Sequence, residues 1–181
     1  MNHWEKSEDS ARRLLATVGF DSALHEAGHA VAQLRFEILG NEVKISPSGD
    51  TPGAVGSAGA KPVRSNDEAA ARVLSCCAGY AALVAAGHDK VQAAIGCDSD
   101  FLEAANLIKY WGLEGDLETW KRKAISLMRF PRNVAAVEMV AAHLLRQLVL
   151  AGDYVEVLVD LADGSISQAE FDDFLALRGR S

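Results

Sequence analysis

The chain has 181 residues, a formal net charge of -7, and 49% hydrophobic against 24% charged residues. That size and balance suit one globular domain with a real core, and the acidic excess argues against broad nucleic-acid binding. No apolar run reaches the roughly 18 residues that span a bilayer, and no signal peptide opens the chain, so a soluble, cytoplasmic protein is expected.

In chain order, Trp4 to Val18 reads as an amphipathic helix ended by Gly19. A second helix, capped by Asp21 or Ser22, is expected to run to about Leu39 before Gly40 stops it. It carries His25-Glu26-Ala27-Gly28-His29. Residues four apart on a helix share a face, so His25 and His29 can turn two imidazoles toward one metal ion. Glu26 starts beside the first ligand, where its carboxylate can reach a water held by that metal. This is the H-E-x-x-H arrangement of zinc metalloproteases, with two His ligands and a Glu general base. The small apolar run Ala30-Val31-Ala32 suits a helix buried at the centre of a domain. Gly28, which costs roughly 1 kcal/mol relative to Ala inside a helix, points to a packing or access need.

Val43 to Ser46 alternates and reads as a short strand. Pro47 to Pro62 concentrates turn residues, with three Pro and four Gly, and within it Gly53-Ala54-Val55-Gly56 reads as a second extended segment. Helices follow: from Ser65 or Asn66 to Gly87, with Ala70, Val73, Leu74, Cys77 and Ala81 on one face; from Ser99 or Asp100 to Trp111; from Leu117 to Phe130, stopped by Pro131; from Val134 to Leu150, ended by Gly152; then Tyr154 to Leu161 and Phe171 to Leu177. The fold class expected is mainly α, a single helical domain over residues 1–181 with one small β-sheet. Three cysteines, two of them adjacent at Cys76 and Cys77, show no paired zinc spacing, and those two read as small buried hydrophobes. Lys121, Arg122, Lys123, Arg129 and Arg132 read as a solvated helix face, and Trp111, Trp120 and Phe130 as core. Asp160 to Glu170 imitates part of a calcium loop, but the first and third ligand positions fall on Val159 and Leu161. Ser167 and Glu170 instead form a capping box. His88 reads as an exposed loop residue and His143 as a satisfied, partly buried one.

A catalytic zinc needs a third protein ligand. The extended H-E-x-x-H-x-x-G-x-x-H form fails, because Arg35 stands where its last His would be. Glu68 and Glu103 remain possible on spacing, as do Asp98 and Asp100 in Gly96-Cys97-Asp98-Ser99-Asp100.

Taken together, these pieces resemble the peptidase domain of the FtsH-type ATP-dependent zinc proteases. His25 to Ala30 reproduces that family's motif. Ile45 to Gly49 followed by Gly53 to Gly56 is similar to its I-x-P-R-G and A-L-G elements. Ala78-Gly79-Tyr80-Ala81-Ala82 resembles its A-G-R-A-A helix, and Gly96 to Asp100 falls where it has G-A-S-N-D. The resemblance implies that Asp100, the counterpart of that final Asp, completes a zinc site with His25 and His29. It implies a metalloendopeptidase with Glu26 as catalytic base, acting on extended or unfolded polypeptide paired with the edge formed by Gly53, Ala54, Val55 and Gly56. There are departures. Ser48 replaces the family's Arg, Asp50-Thr51-Pro52 are extra, Leu83 replaces a Glu, and Cys97 replaces a small Ala. The resemblance does not extend to the family's ATPase domain or membrane segment, so the expected substrates are peptides, disordered segments or proteins delivered by a separate ATPase or unfoldase. The rival expectation is a zinc-binding interaction module without proteolysis. The presence of Glu26 argues against it, since a structural site has no use for a base.

Overall fold

A computed structural model describes residues 3–45, 54–56 and 62–178, with side chains described for 19–45 and 62–178. The first helix, α1 (His3–Arg35), is continuous for 33 residues. The break expected at Gly19 is absent, because a helix-interior glycine costs only about 1 kcal/mol and the flanking turns supply their own hydrogen bonds. Asp21 and Ser22 therefore lie within the helix and cap nothing. α1 also stops earlier than Leu39. The Ile38 N–H donates to the Gln33 carbonyl at 2.9 Å and the Glu37 N–H to the Leu34 carbonyl at 3.0 Å, with Glu37 at φ 58°. That is a Schellman ending with Glu in the position usually held by Gly, so no glycine marks it in the sequence.

Strands β1 (Glu42–Lys44), β2 (Ala54–Gly56) and β3 (Val149–Ala151) form one antiparallel sheet in the order β2-β1-β3, with Val43 opposite both Val55 and Leu150. β1 and β2 fall where expected, while Ser46 and Gly53 lie outside the described residues. β3 was expected as the end of a helix. Instead Leu148 takes a left-handed conformation at φ 63° and its N–H closes on the Leu144 carbonyl at 2.8 Å, which turns the chain into the sheet. Val149-Leu150-Ala151 continues the apolar run of the preceding helix, so its periodicity hides the change. Gly152 opens the next helix and is no stop. Its N–H donates to the Asn41 carbonyl at 2.7 Å, and a Cβ there would stand 2.5 Å from the Gly40 carbonyl oxygen.

The remaining helices are α2 (Asn66–Ala85), α3 (Lys90–Ala93), α4 (Asp98–Trp111), α5 (Leu117–Met128), α6 (Pro131–Gln147), α7 (Gly152–Ala162) and α8 (Gln168–Arg178). The mainly helical class with one small sheet holds. Ser65 caps α2 through the Glu68 N–H, Asp116 caps α5 through the Thr119 N–H, and Pro131 opens α6 as its first residue. The capping box closes as expected: the Ser167 N–H donates to Glu170 Oε2 at 2.7 Å and the Glu170 N–H to Ser167 Oγ at 3.3 Å. α3 is a single turn, unseen in the sequence, capped by Asp89.

α2 is the centre of the bundle, packed against α1, α4 and α5. It is long and apolar enough to cross a membrane by length and composition, but 67% of its most apolar window is buried within the fold, as a central core helix requires. α1 lies between α2 and α6, and residues 26–33 are buried without interruption, as the small residues after the motif suggest. Gly28 is needed for this crossing: a Cβ there would stand 2.6 Å from the Ala78 carbonyl oxygen and 2.7 Å from Ala82 Cβ. Cys76, Cys77 and Trp120 are in the core, whereas Phe130, expected there, is 58% exposed. Lys121 departs from the solvated face expected of it. Its Nζ lies 3.8 Å from the centre of the Phe101 ring and pairs with Glu118 at 2.7 Å, which leaves the side chain 14% exposed.

Candidate metal centre

Two segments far apart in sequence build the site. His25 and His29 sit one turn apart on α1, with ring centroids 4.6 Å apart and planes nearly perpendicular at 80°. Asp100 comes from the first turn of α4. Its Oδ2 lies 3.2 Å from both His25 Nε2 and His29 Nε2, and the two Nε2 atoms are 2.9 Å apart. Among the described residues this is the group of His, Cys, Asp and Glu side chains placed to hold a metal ion. Of the four third-ligand candidates left open by spacing, Asp98 and Glu103 are not in it. Glu68 is occupied at the start of α2, where its Oε2 accepts the Arg64 N–H at 2.6 Å.

The donor set fits a divalent transition-metal ion, with zinc among the candidates. Tetrahedral zinc with N and O ligands at about 2.0–2.2 Å places its ligands roughly 3.3 Å from one another, close to the 2.9–3.2 Å triangle here. The chemistry agrees, because two imidazoles and one carboxylate suit a borderline ion and leave a coordination position open.

The surroundings orient the ligands. His29 Nδ1–H donates to the Ser75 carbonyl of α2 at 2.7 Å, so its Nε2 carries the free lone pair toward Asp100. Gly79, one turn along α2, makes room for both rings. A Cβ there would stand 2.6 Å from His29 Nε2 and from His25 Cε1. His25 Nδ1 faces the sulfur of Cys97 at 3.9 Å. Ser75 went unseen in the sequence, since a backbone carbonyl has no residue-type signature. Gly79 did have a signal: a glycine inside an Ala-rich helix is costly without a reason.

Electrostatics separates the two histidines. Burial disfavours charge on His25 and pushes its pKa down, against the pull of Asp100. Burial also opposes charge on His29, but the hydrogen bond and charge of Asp100, the charge of Glu26 and the Ser75 carbonyl together overcome it and raise its pKa. Burial disfavours the Asp100 carboxylate too, yet bonds from both imidazoles hold it well below the usual carboxylate range. Glu26 is 4% exposed and close enough for its charge to act on His29. Desolvation pushes the buried Cys97 thiol up to about 12, so it is neutral at ordinary pH.

Of the residues expected to bind substrate, Gly53 lies outside the described residues, while Ala54, Val55 and Gly56 form β2, an edge strand that lies with β1 against α1. An open cleft of about 760 Å³ runs along the outer face of α4, lined by Ser99, Leu102, Asn106 and Tyr110 among others. Its lining includes Ser99, the sequence neighbour of Asp100, but none of the three ligand residues. His88, expected to be exposed, is partly covered and pairs with Asp21 Oδ1 at 3.3 Å. His143 is satisfied, with its Nδ1 2.9 Å from the Tyr154 hydroxyl. Comparison of the chain with known protein-family models and with curated proteins finds no match to either.

Proposed function

We propose that the chain is a zinc-dependent metalloendopeptidase of the FtsH type, acting on extended or unfolded polypeptide. The observation that carries this reading is the convergence of His25 Nε2, His29 Nε2 and Asp100 Oδ2 within 3.2 Å of one another, beside a buried Glu26 in the H-E-x-x-H spacing. His25, His29 and Asp100 would hold the ion. Bound zinc would supply Lewis-acid polarisation of the scissile carbonyl and lower the pKa of water. Glu26 accepts the proton of the attacking water on its carboxylate and returns it to the nitrogen of the leaving amine. The Ser75 carbonyl and Gly79 keep the His29 ring turned so that its Nε2 stays available. The β2 edge offers main-chain groups to an extended substrate, which fixes register with little demand on sequence.

The test combines elemental analysis of the purified protein with cleavage of unfolded casein by wild type and Glu26→Gln. About one zinc per chain, with cleavage reduced about 10²–10⁴-fold in Glu26→Gln while zinc is retained, supports the peptidase. Zinc without cleavage by either protein points to a metal-binding interaction module. Absence of zinc after reconstitution removes the reading altogether.

A further inference from the structure

His25 is held differently from its partner, and the difference centres on Cys97. The residue is fully buried at the N-cap of α4. It arrives there because Gly96, at φ +83°, turns the chain between α3 and α4, and because the Cys97 N–H closes on the Ala94 carbonyl at 3.2 Å. Its side chain caps nothing on α4. Instead the thiol donates to the Ala93 carbonyl at 3.3 Å, which fixes the S–H direction and leaves sulfur lone pairs for another donor. That donor is at hand: His25 Nδ1 lies 3.9 Å from Sγ, on the opposite side of the ring from Nε2. Cys97 and Asp100 are three residues apart and so share a face of the first turn of α4. A single helical turn therefore grips the His25 ring at both nitrogens, with Asp100 Oδ2 3.2 Å from Nε2 and Cys97 Sγ 3.9 Å from Nδ1.

We infer that Cys97 is a positioning residue for the metal centre: its sulfur accepts the Nδ1–H of His25 and holds that imidazole with Nε2 turned toward the metal. This rests on the zinc reading above. The sulfur does for His25 what the Ser75 carbonyl does for His29, through a longer and softer contact. Partners of this kind fix the tautomer and orientation of a ligating histidine, and their loss typically weakens metal binding about 10–100-fold. A long sulfur contact belongs at the lower end. The thiol lies behind the ring, away from the ligand atoms, so it orients a ligand and is not one itself.

The experiment compares wild type with Cys97→Ser, Cys97→Val and Cys97→Ala. Zinc affinity is measured by competition with a chromophoric chelator, the visible spectrum of the cobalt-substituted protein is recorded, and far-UV circular dichroism checks folding. Valine fills the space without an acceptor, and serine keeps an acceptor in less space. The expected result is a loss of zinc affinity of about tenfold in Val and Ala, with an altered cobalt spectrum in both. Serine should retain most of the affinity and the wild-type spectrum. Should Ala fail to fold, the Ser and Val pair carries the comparison. Equal affinity and equal spectra in Ser and Val overturn the positioning role while leaving the zinc site standing. A wild type that binds no zinc overturns both, so the two failures are told apart.

Discussion

Two partly buried polar clusters in this protein use polar residues to opposite ends. At the crossing of α1, α2 and α4, His25, His29 and Asp100 bring acceptor atoms to within 2.9–3.2 Å of one another. Near the far end of α1, Arg35 meets Asp163 through both carboxylate oxygens at 2.5 and 2.8 Å and donates to Asn133 Oδ1 at 2.9 Å, while Asn133 Nδ2 donates to the Leu127 carbonyl at 2.8 Å. In the second cluster each donor faces an acceptor and the charges cancel, so nothing further is required. In the first, two imidazole nitrogens and one carboxylate oxygen converge on a single point, the arrangement that can hold a metal ion. Convergence of ligand atoms on one point, against a chain of separate donor–acceptor pairs, separates a candidate metal site from a structural network.

The largest effect that would break this contrast comes from the metal. Zinc at about 100–1,000 times its dissociation constant should stabilise the wild type by about 3–4 kcal/mol. Asp100→Ala should lose that zinc-dependent rise in unfolding temperature, read by calorimetry with zinc and with a chelator. Equal zinc stabilisation of the mutant would remove Asp100 from the ligand set.

Gly79→Ala sharpens the comparison by separating fold from site. The added methyl gains about 1 kcal/mol of helix propensity and costs about 1–3 kcal/mol of overpacking against the two rings. Net stability should move by no more than about 2 kcal/mol, while zinc affinity falls at least about tenfold. Chelator competition and chemical denaturation on the same preparation would read both.

Asp163→Asn should do the reverse, costing about 1–2 kcal/mol because the pair is largely but not fully covered, with zinc affinity unchanged. The Arg35 hydrogen bonds are the main cause of the lowered Asp163 pKa. A depressed folded-state pKa means this contribution is fully present above the unfolded value and is lost as pH falls through the folded one. Wild type and mutant should therefore begin to converge in stability as pH falls below about 4 and meet only below the depressed folded-state pKa. A gap that persists into acid would assign the cost to packing.

Particular residues show what was legible before the fold was known. The H-E-x-x-H spacing, the Ser65 and Asp116 caps, the Ser167/Glu170 box and the first two strands were readable, because each is written within a few neighbouring residues. Helix ends at Glu37 and Leu148 were missed because both take left-handed backbone without glycine. Phe130, the N-cap of α6, and Lys121 on α5 reversed their expected exposure because aromatic content and charge do not say which side of a helix or its cap meets its neighbours.

The sequence by itself determined that two imidazoles and a carboxylate would share one buried helix, since four-residue spacing on a helix is a local property. By spacing it narrowed the third ligand to a few carboxylates, and the family resemblance pointed among them to Asp100. Only the tertiary structure decided that Asp100 approaches both imidazoles from 71 residues beyond His29, and that the Ser75 carbonyl and Cys97 sulfur stand behind the rings. Those contacts depend on where α2 and α4 cross α1. Gly28 and Gly79 permit the close approach at the α1–α2 crossing, but the relation between helices is set by packing over the whole core, which no local pattern encodes.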